Sequence, residues 1–164
     1  MSARHFFCPG KPISQGSKSL GAQGQLYESS SKHLREWRKS VRFHALAAAG
    51  REPLREAVMV TLQFRMPRPK SHLTKAGGLR KRAPRLHTFK PDIDKLTRAV
   101  LDSLAGIIYD DDRQVIEISA EKWWETETDP AGVTVTVAEV AVPEELTRES
   151  ERQALWDSLS QEGP

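Results

Sequence analysis

Residues 90–122 read KPDIDKLTRAVLDSLAGIIYDDDRQVIEISAEK. Asp92 and Asp94 open the stretch, two residues apart. Ile93, Leu96, Val100 and Leu104 then recur at helical spacing. This predicts a helix over 92–105 with those four side chains buried and Asp94, Arg98 and Asp102 along another face. Gly106 is its stop signal. Three adjacent aspartates follow, Asp110, Asp111 and Asp112. A strand is expected over 114–124, with Ile116, Ile118 and Ala120 on the face of Lys122. Helix and strand in immediate succession call for a mixed fold.

Working outward, 57–65 alternates cleanly. Val58, Val60, Leu62 and Phe64 take one side and Met59, Thr61, Gln63 and Arg65 the other, the pattern of a half-buried strand. Residues 65–90 hold nine Lys and Arg, no acid, and three prolines. That composition predicts a long basic loop, mobile when free and ordered by a nucleic acid. Upstream, 3–8 reads as a first strand and 9–27 as a loop rich in Gly, Ser and Gln. Ser30 or Ser31 can cap a helix to about residue 49, with Leu34, Trp37, Val41, Ala45 and Ala48 toward the core. Lys32, Arg35, Lys39 and Arg42 share another face, a stripe able to track phosphates. Downstream, 129–132 is a turn and 133–142 a last strand, so strands three and four should form a hairpin. Beyond Pro143 the chain is acidic with a helical pattern.

The fold class expected is mixed α/β (α+β): a small four-stranded, mainly antiparallel sheet with two main helices and a C-terminal helical tail. One functional domain spans 1–142, and 143–164 is an acidic tail, helical or disordered. The 164 residues carry a net +3 that hides an asymmetry. Residues 1–90 hold 19 Lys and Arg against 4 Asp and Glu, a net +15; residues 91–164 hold 6 against 18, a net −12. Such a chain can present a basic surface around an acidic pocket, fit for a polyanion and a cation. Two faces that merely attract each other are the alternative. One cysteine, Cys8, leaves no intrachain disulfide and no thiolate zinc cluster. No apolar run approaches the ~18 residues of a membrane span, and the first residues lack the apolar stretch of a signal peptide. A cytoplasmic protein is expected.

Taken alone, each carboxylate group has an ordinary explanation. Asp92 can be an N-cap and Asp94 a first-turn acid; the triple aspartate can be a solvated turn. Together they suggest more. The helix would be ~20 Å long at ~1.5 Å per residue, and an extended return of six residues covers a similar span. The acidic turn at 110–112 could thus travel back to Asp92 and Asp94, where a cation would be needed to offset the repulsion of converging carboxylates. Oxygen ligands suit Mg²⁺ or Mn²⁺. Arg98 and Lys122 could then hold a scissile phosphate.

The same stretch resembles the signature of RusA-type Holliday junction resolvases. There a D-x-D pair opens a helix, a basic residue stands four positions after the second aspartate, and a DD-x-Q-V segment starts a strand ending in lysine. Here these are Asp92 and Asp94, Arg98, residues 111–115, and Lys122. The PGKPISQGSK segment and Glu36-Trp37-Arg38 are similar to the family too, and the likeness covers about 3–142. Two positions depart from it: many members have lysine at Arg98 and asparagine at Lys95. The resemblance implies a metal-dependent endonuclease that binds four-way DNA junctions as a homodimer and resolves them by paired nicks during recombination and repair. It implies Asp92, Asp94 and Asp112 as metal ligands, with Asp111 an adjacent candidate, Mg²⁺ as the metal and Mn²⁺ able to substitute.

The expected reaction is hydrolysis of DNA phosphodiesters, leaving a 5′-phosphate and a 3′-hydroxyl. Asp92, Asp94, Asp112, Arg98 and Lys122 form the catalytic set. Lys11, Lys18, Lys32, Arg35, Lys39, Arg42, Arg68, Lys70, Arg80, Lys81, Arg82 and Arg85 are the expected DNA contacts. A metal-dependent nuclease of other branched or single-stranded DNA is one alternative, and a non-catalytic DNA-binding module another.

Overall fold

The computed structural model describes residues 2–16, 18–20, 26–28, 32–141, 146 and 152–153. The elements in chain order are β1 (Ala3–Pro9), β2 (Lys18–Leu20), β3 (Leu26–Glu28), α1 (Lys32–Ala48), β4 (Val58–Met66), α2 (Ile93–Leu104), β5 (Val115–Trp124) and β6 (Gly132–Glu139). Short 3₁₀ turns occupy Lys70–His72 and Asp112–Gln114. The cap expected at Ser30 or Ser31 lies outside the described residues, as does most of the helical pattern after Pro143.

Four strands form the main sheet in the order β1-β6-β4-β5. β4 carries the clean alternation of the sequence into space: Val58, Val60, Leu62, Phe64 and Met66 are buried, and Met59, Thr61 and Gln63 are exposed. One face of the sheet is therefore covered and the other faces water. The cover is the two helices. Trp37, Val41 and Ala45 of α1 and Leu96, Val100 and Leu104 of α2 join Phe6, Cys8, Val133, Val135 and Val137 in a continuous core, and Leu34 is buried as well. Ala48 packs on it only partly buried, and Ile93, expected inside, is 38% exposed as the first residue of α2.

Two pairings are antiparallel, β1 with β6 and β4 with β6, and one is parallel, β4 with β5. The hairpin expected between the last two strands is not formed. β4 lies between β5 and β6, so the connection after Trp124 must span two strand spacings, about 10 Å. It does so by tying Glu125 N to Met66 O at 2.9 Å, which carries it across the end of β4. The 9–27 segment likewise holds more than a loop, since β2 and β3 pair antiparallel. In β5 the register shifts next to Val58, and the extra residue is Ile116, which is 62% exposed.

Parallel neighbours need a crossover, and here it runs β4, the basic segment, α2, β5. The segment is built rather than formless. Leu73 bridges Leu79, Arg80 Nε donates to Leu73 O at 2.7 Å, and Ala83 and His87 are buried. α2 runs opposite to the two strands it joins. Its start therefore lies beside their carboxyl ends, where ligands of open α/β sheets bind. Among the described residues, no helix is long and apolar enough to cross a membrane.

Candidate metal and DNA site

Asp92 occupies the N-cap position of α2 with an extended backbone, yet its side chain caps nothing. Its carboxylate meets Lys95 Nζ at 3.2 Å instead. Asp94 follows in the first turn, exposed. The helix start favours negative charge, but the backbone does not occupy the Asp92 carboxylate. Around it lies a cleft of about 350 Å³ lined by Lys11, Ser14, Lys90, Pro91, Asp92 and Lys95, among others. Gln15 N donates to Lys95 O at 3.1 Å, which staples the 11–15 segment to α2 and sets Lys11 at the cleft.

Lys122 reaches this site from the end of β5. Its Nζ donates to Phe89 O at 2.8 Å and Pro91 O at 2.7 Å. An ammonium has three donors, so one is left for Asp92 or a phosphate. Burial pulls its pKa down and the neighbouring Asp92 pushes it back up. Arg98 is exposed, and among the described residues it forms no ion pair; the Asp94–Arg98 bridge available from their spacing is absent. Asp102, on the same face, is held by Arg38 Nη2 at 2.5 Å, and that guanidinium also takes Gln15 Oε1 at 2.7 Å. The pair joins α1 to α2.

The three aspartates after Tyr109 divide their work. Asp111 caps the 3₁₀ turn: its carboxylate accepts from Arg113 N, while Gln114 Oε1 accepts from Asp111 N. Hydrogen bonds from the Arg113 side chain and backbone hold Asp111 below the usual carboxylate range. Gln114 Nε2 donates in turn to Leu54 O and Glu56 O. Asp112 is left exposed, with its carboxylate beside the Tyr109 hydroxyl. Burial first, and the Asp112 charge second, push that phenol far above its ordinary range.

Asp112 does not join Asp92 and Asp94 in this chain. Among the described residues no three His, Cys, Asp or Glu side chains gather at one point. The crossover gives the reason. The turn after α2 is tight, with Ile107 N and Ile108 N both bonded to Leu104 O and Gly106, at φ +74°, bonded to Tyr109 O. β5 then begins at the edge of the sheet opposite the start of α2. Val115 pairs with Val58 and Lys122 with Phe64, about 23 Å apart at ~3.3 Å per residue. Asp112 precedes the first and Asp92 neighbours the second.

Of the expected DNA contacts, Lys11, Lys32, Arg35, Lys39, Arg42, Lys70, Arg80, Lys81, Arg82 and Arg85 are exposed, and Lys18 begins β2. Arg68 is engaged inside the fold: it lies 4.9 Å over the Trp124 ring and donates to Pro84 O at 3.0 Å. Lys90 and Lys95, both in the wall of the Asp92 cleft, were not among the expected DNA contacts, Lys95 standing only as a departure from the family pattern. Their place inside K-P-D-I-D-K was the available signal.

Residues 9–138 match the family model described as endodeoxyribonuclease RusA. The chain belongs to this family. The match runs from the end of β1 into β6 and takes in α1, the basic segment, α2 and the 3₁₀ turn at Asp112. No curated protein matches the chain. RusA membership gives the exposed D-x-D pair, the cationic cleft and the basic helix a common setting, that of an enzyme cutting within DNA.

Proposed function

We propose that this RusA-family chain is a divalent-metal-dependent endonuclease that resolves four-way DNA junctions by paired nicks. The observation that carries the reading is the Asp92 carboxylate, at a helix start and free of capping, with Asp94 beside it in sequence and Lys11, Lys90 and Lys95 around it. This donor set fits Mg²⁺, which is commonly held by one or two carboxylates together with substrate phosphate oxygens. When bound there, Mg²⁺ or Mn²⁺ would supply water activation and charge neutralisation at the phosphate.

The chain's own residues do the rest. Lys11, Lys90 and Lys95 draw the strand into the cleft. Arg98 holds a phosphate oxygen as a clamp, since a planar guanidinium matches phosphate geometry. Lys122 keeps the 89–92 backbone in position and offers its remaining donor to the site. The stripe Lys32, Arg35, Lys39 and Arg42 and the exposed cations of 70–85 grip the arms.

Two symmetric cuts call for two sites related by a two-fold axis, hence a homodimer. The edge position of β5 and the exposed Ile116 and Ile118, 62% and 48% accessible, support that reading. Two copies meeting antiparallel along β5 would set each Asp112 toward the other chain's Asp92 and Asp94, completing a three-aspartate set. Asp111, occupied as a cap, is the weaker ligand candidate.

The test is a nicking assay on a four-way junction, a flap and a duplex, with Mg²⁺ or EDTA. Junction cleavage with Mg²⁺ alone is expected. Asp92→Asn and Asp94→Asn should each abolish it while binding persists. Asp92→Asn should leave folding stability within about 1 kcal/mol, since only an exposed ion pair is lost. Cleavage of flaps and not junctions would replace the resolvase reading with that of another branched-DNA nuclease. No metal-dependent cleavage at all would leave a DNA-binding module.

A further inference from the structure

Next to the Asp92 cleft lies a second hollow of about 300 Å³. The two share Lys11, Lys90 and Pro91, so they adjoin along one rim. The second hollow has aromatic walls. The His87 ring packs 4.2 Å from Trp124, the Phe89 ring 6.3 Å, and His72 stands edge-on at 5.2 Å. These residues come from three places far apart in sequence: the 3₁₀ turn after β4, the segment before α2, and the end of β5. His87 and Trp124 are buried, at 8% and 5%, while Phe89 is 53% exposed. Among the described residues, Trp124 Nε1 and His72 Nδ1 are buried with no hydrogen-bond partner. A cluster that only filled the core would bury the phenylalanine.

We propose that this hollow receives one unstacked DNA base, adjacent to the phosphate drawn by Lys11 and Lys90 into the Asp92 cleft. The proposal rests on the nuclease reading above and names what its cleft recognises. A flat aromatic ring stacks on any base, and this is how single-stranded nucleic acid is commonly held. Bases already unpaired or poorly stacked cost least to extrude, and a branch point supplies them. Lys11 and Lys90 on the shared rim meet the phosphate that links base and cleft. Among the described residues, no carboxylate lines the hollow to repel the strand. The geometry is fixed by one residue: Lys122 Nζ binds both Phe89 O and Pro91 O, so the stacking wall and Asp92 are held together. Burial, and then the nearby Lys122 and Arg68 charges, push His87 below its ordinary range. The base in the hollow would set the enzyme's preference at one position of the cut.

Phe89→Ala tests this, since its half-exposed side chain can be removed without opening the core. Leu86→Ala is the control: it is 55% exposed on the same segment and lies outside the hollow. The first measurement is affinity for a 5′-labelled tetranucleotide of thymidine in EDTA, where no cutting occurs. Phe89→Ala should bind about 5- to 100-fold more weakly and Leu86→Ala as the parent does. The second is nicking of junctions carrying each of the four bases at the branch. The parent should prefer some bases, and Phe89→Ala should cut more slowly with that preference flattened. Unchanged tetranucleotide affinity in Phe89→Ala overturns the proposal, as does an unchanged base preference. Phe89-dependent tetranucleotide binding in a parent that cuts no substrate would keep the base hollow and remove the nuclease reading instead.

Discussion

Asp111 and Asp112 are neighbours of one chemical type with different surroundings. Asp111 is tied to Arg113 and to the backbone of its own turn. Asp112 carries no capping bond and faces the buried Tyr109 hydroxyl. Their substitutions should therefore separate cleanly. Asp111→Asn should lower the melting temperature and retain junction nicking. Asp112→Asn should leave melting nearly unchanged and abolish nicking. Thermal melts and the Mg²⁺ assay on both variants check this, and the reverse assignment would make Asp111 the ligand. The D-x-D pair shows the same division between appearance and use. An aspartate before a helix reads as a cap, and only the structure reveals that Asp92 does not cap.

At the level of elements, local pattern was legible and partner choice was not. The strict alternation of 58–64 and the spacing of Leu34, Trp37, Val41 and Ala45 follow from burying one face of a strand or helix, so they survive in space. The last two strands resemble a hairpin in sequence because Asp129-Pro130-Ala131-Gly132 is a turn sequence, and a turn does not say how many strands lie between its arms. The parallel pairing of β4 and β5 also decided the site, since it sends Asp112 to the edge of the sheet away from Asp92. The D-x-D half of the site was plain in sequence. The aromatic hollow was not, because Phe89 and Trp124 are joined only by the crossover. Gly132 shows how closely β1 and β6 approach. A Cβ there would meet Cys8 O and the Phe7 ring at 2.5 Å. Gly132→Ala should destabilise by about 2 kcal/mol or more, as overpacking does. Gly106→Ala, with open space around it but φ at +74°, should cost about 1 kcal/mol. Urea denaturation ranks the two; equal effects would mean that the strand contact yields easily.

On the scale of the whole molecule, charge sorts along the chain as +15 before residue 91 and −12 after it. The fold keeps the basic part accessible: all four cations of the α1 stripe are exposed. Junction affinity in EDTA should therefore fall steeply with salt. Replacing Lys32, Arg35, Lys39 and Arg42 together by alanine should reduce the slope of log K against log salt by up to about 3.6, at ~0.9 per phosphate contact. Anisotropy titrations between 50 and 200 mM salt, a range of about fourfold over which such contacts are lost, measure it. An unchanged slope would remove α1 from the DNA-binding surface.

The pairing of the first strand with the last has a consequence for synthesis on the ribosome. Every residue proposed to act in cutting has been made once Lys122 is in the chain. Among the described residues, β1 has no neighbour in the main sheet except β6, and their register runs from Ala3 with Ala138 to Pro9 with Gly132. A nascent chain that stops after β5 thus leaves the Phe6 and Cys8 side of the core unpaired and the 11–15 segment without its anchored strand. The cleft is assembled only when translation has passed the last strand, so a truncated product would hold every proposed cutting residue without the scaffold that aligns them.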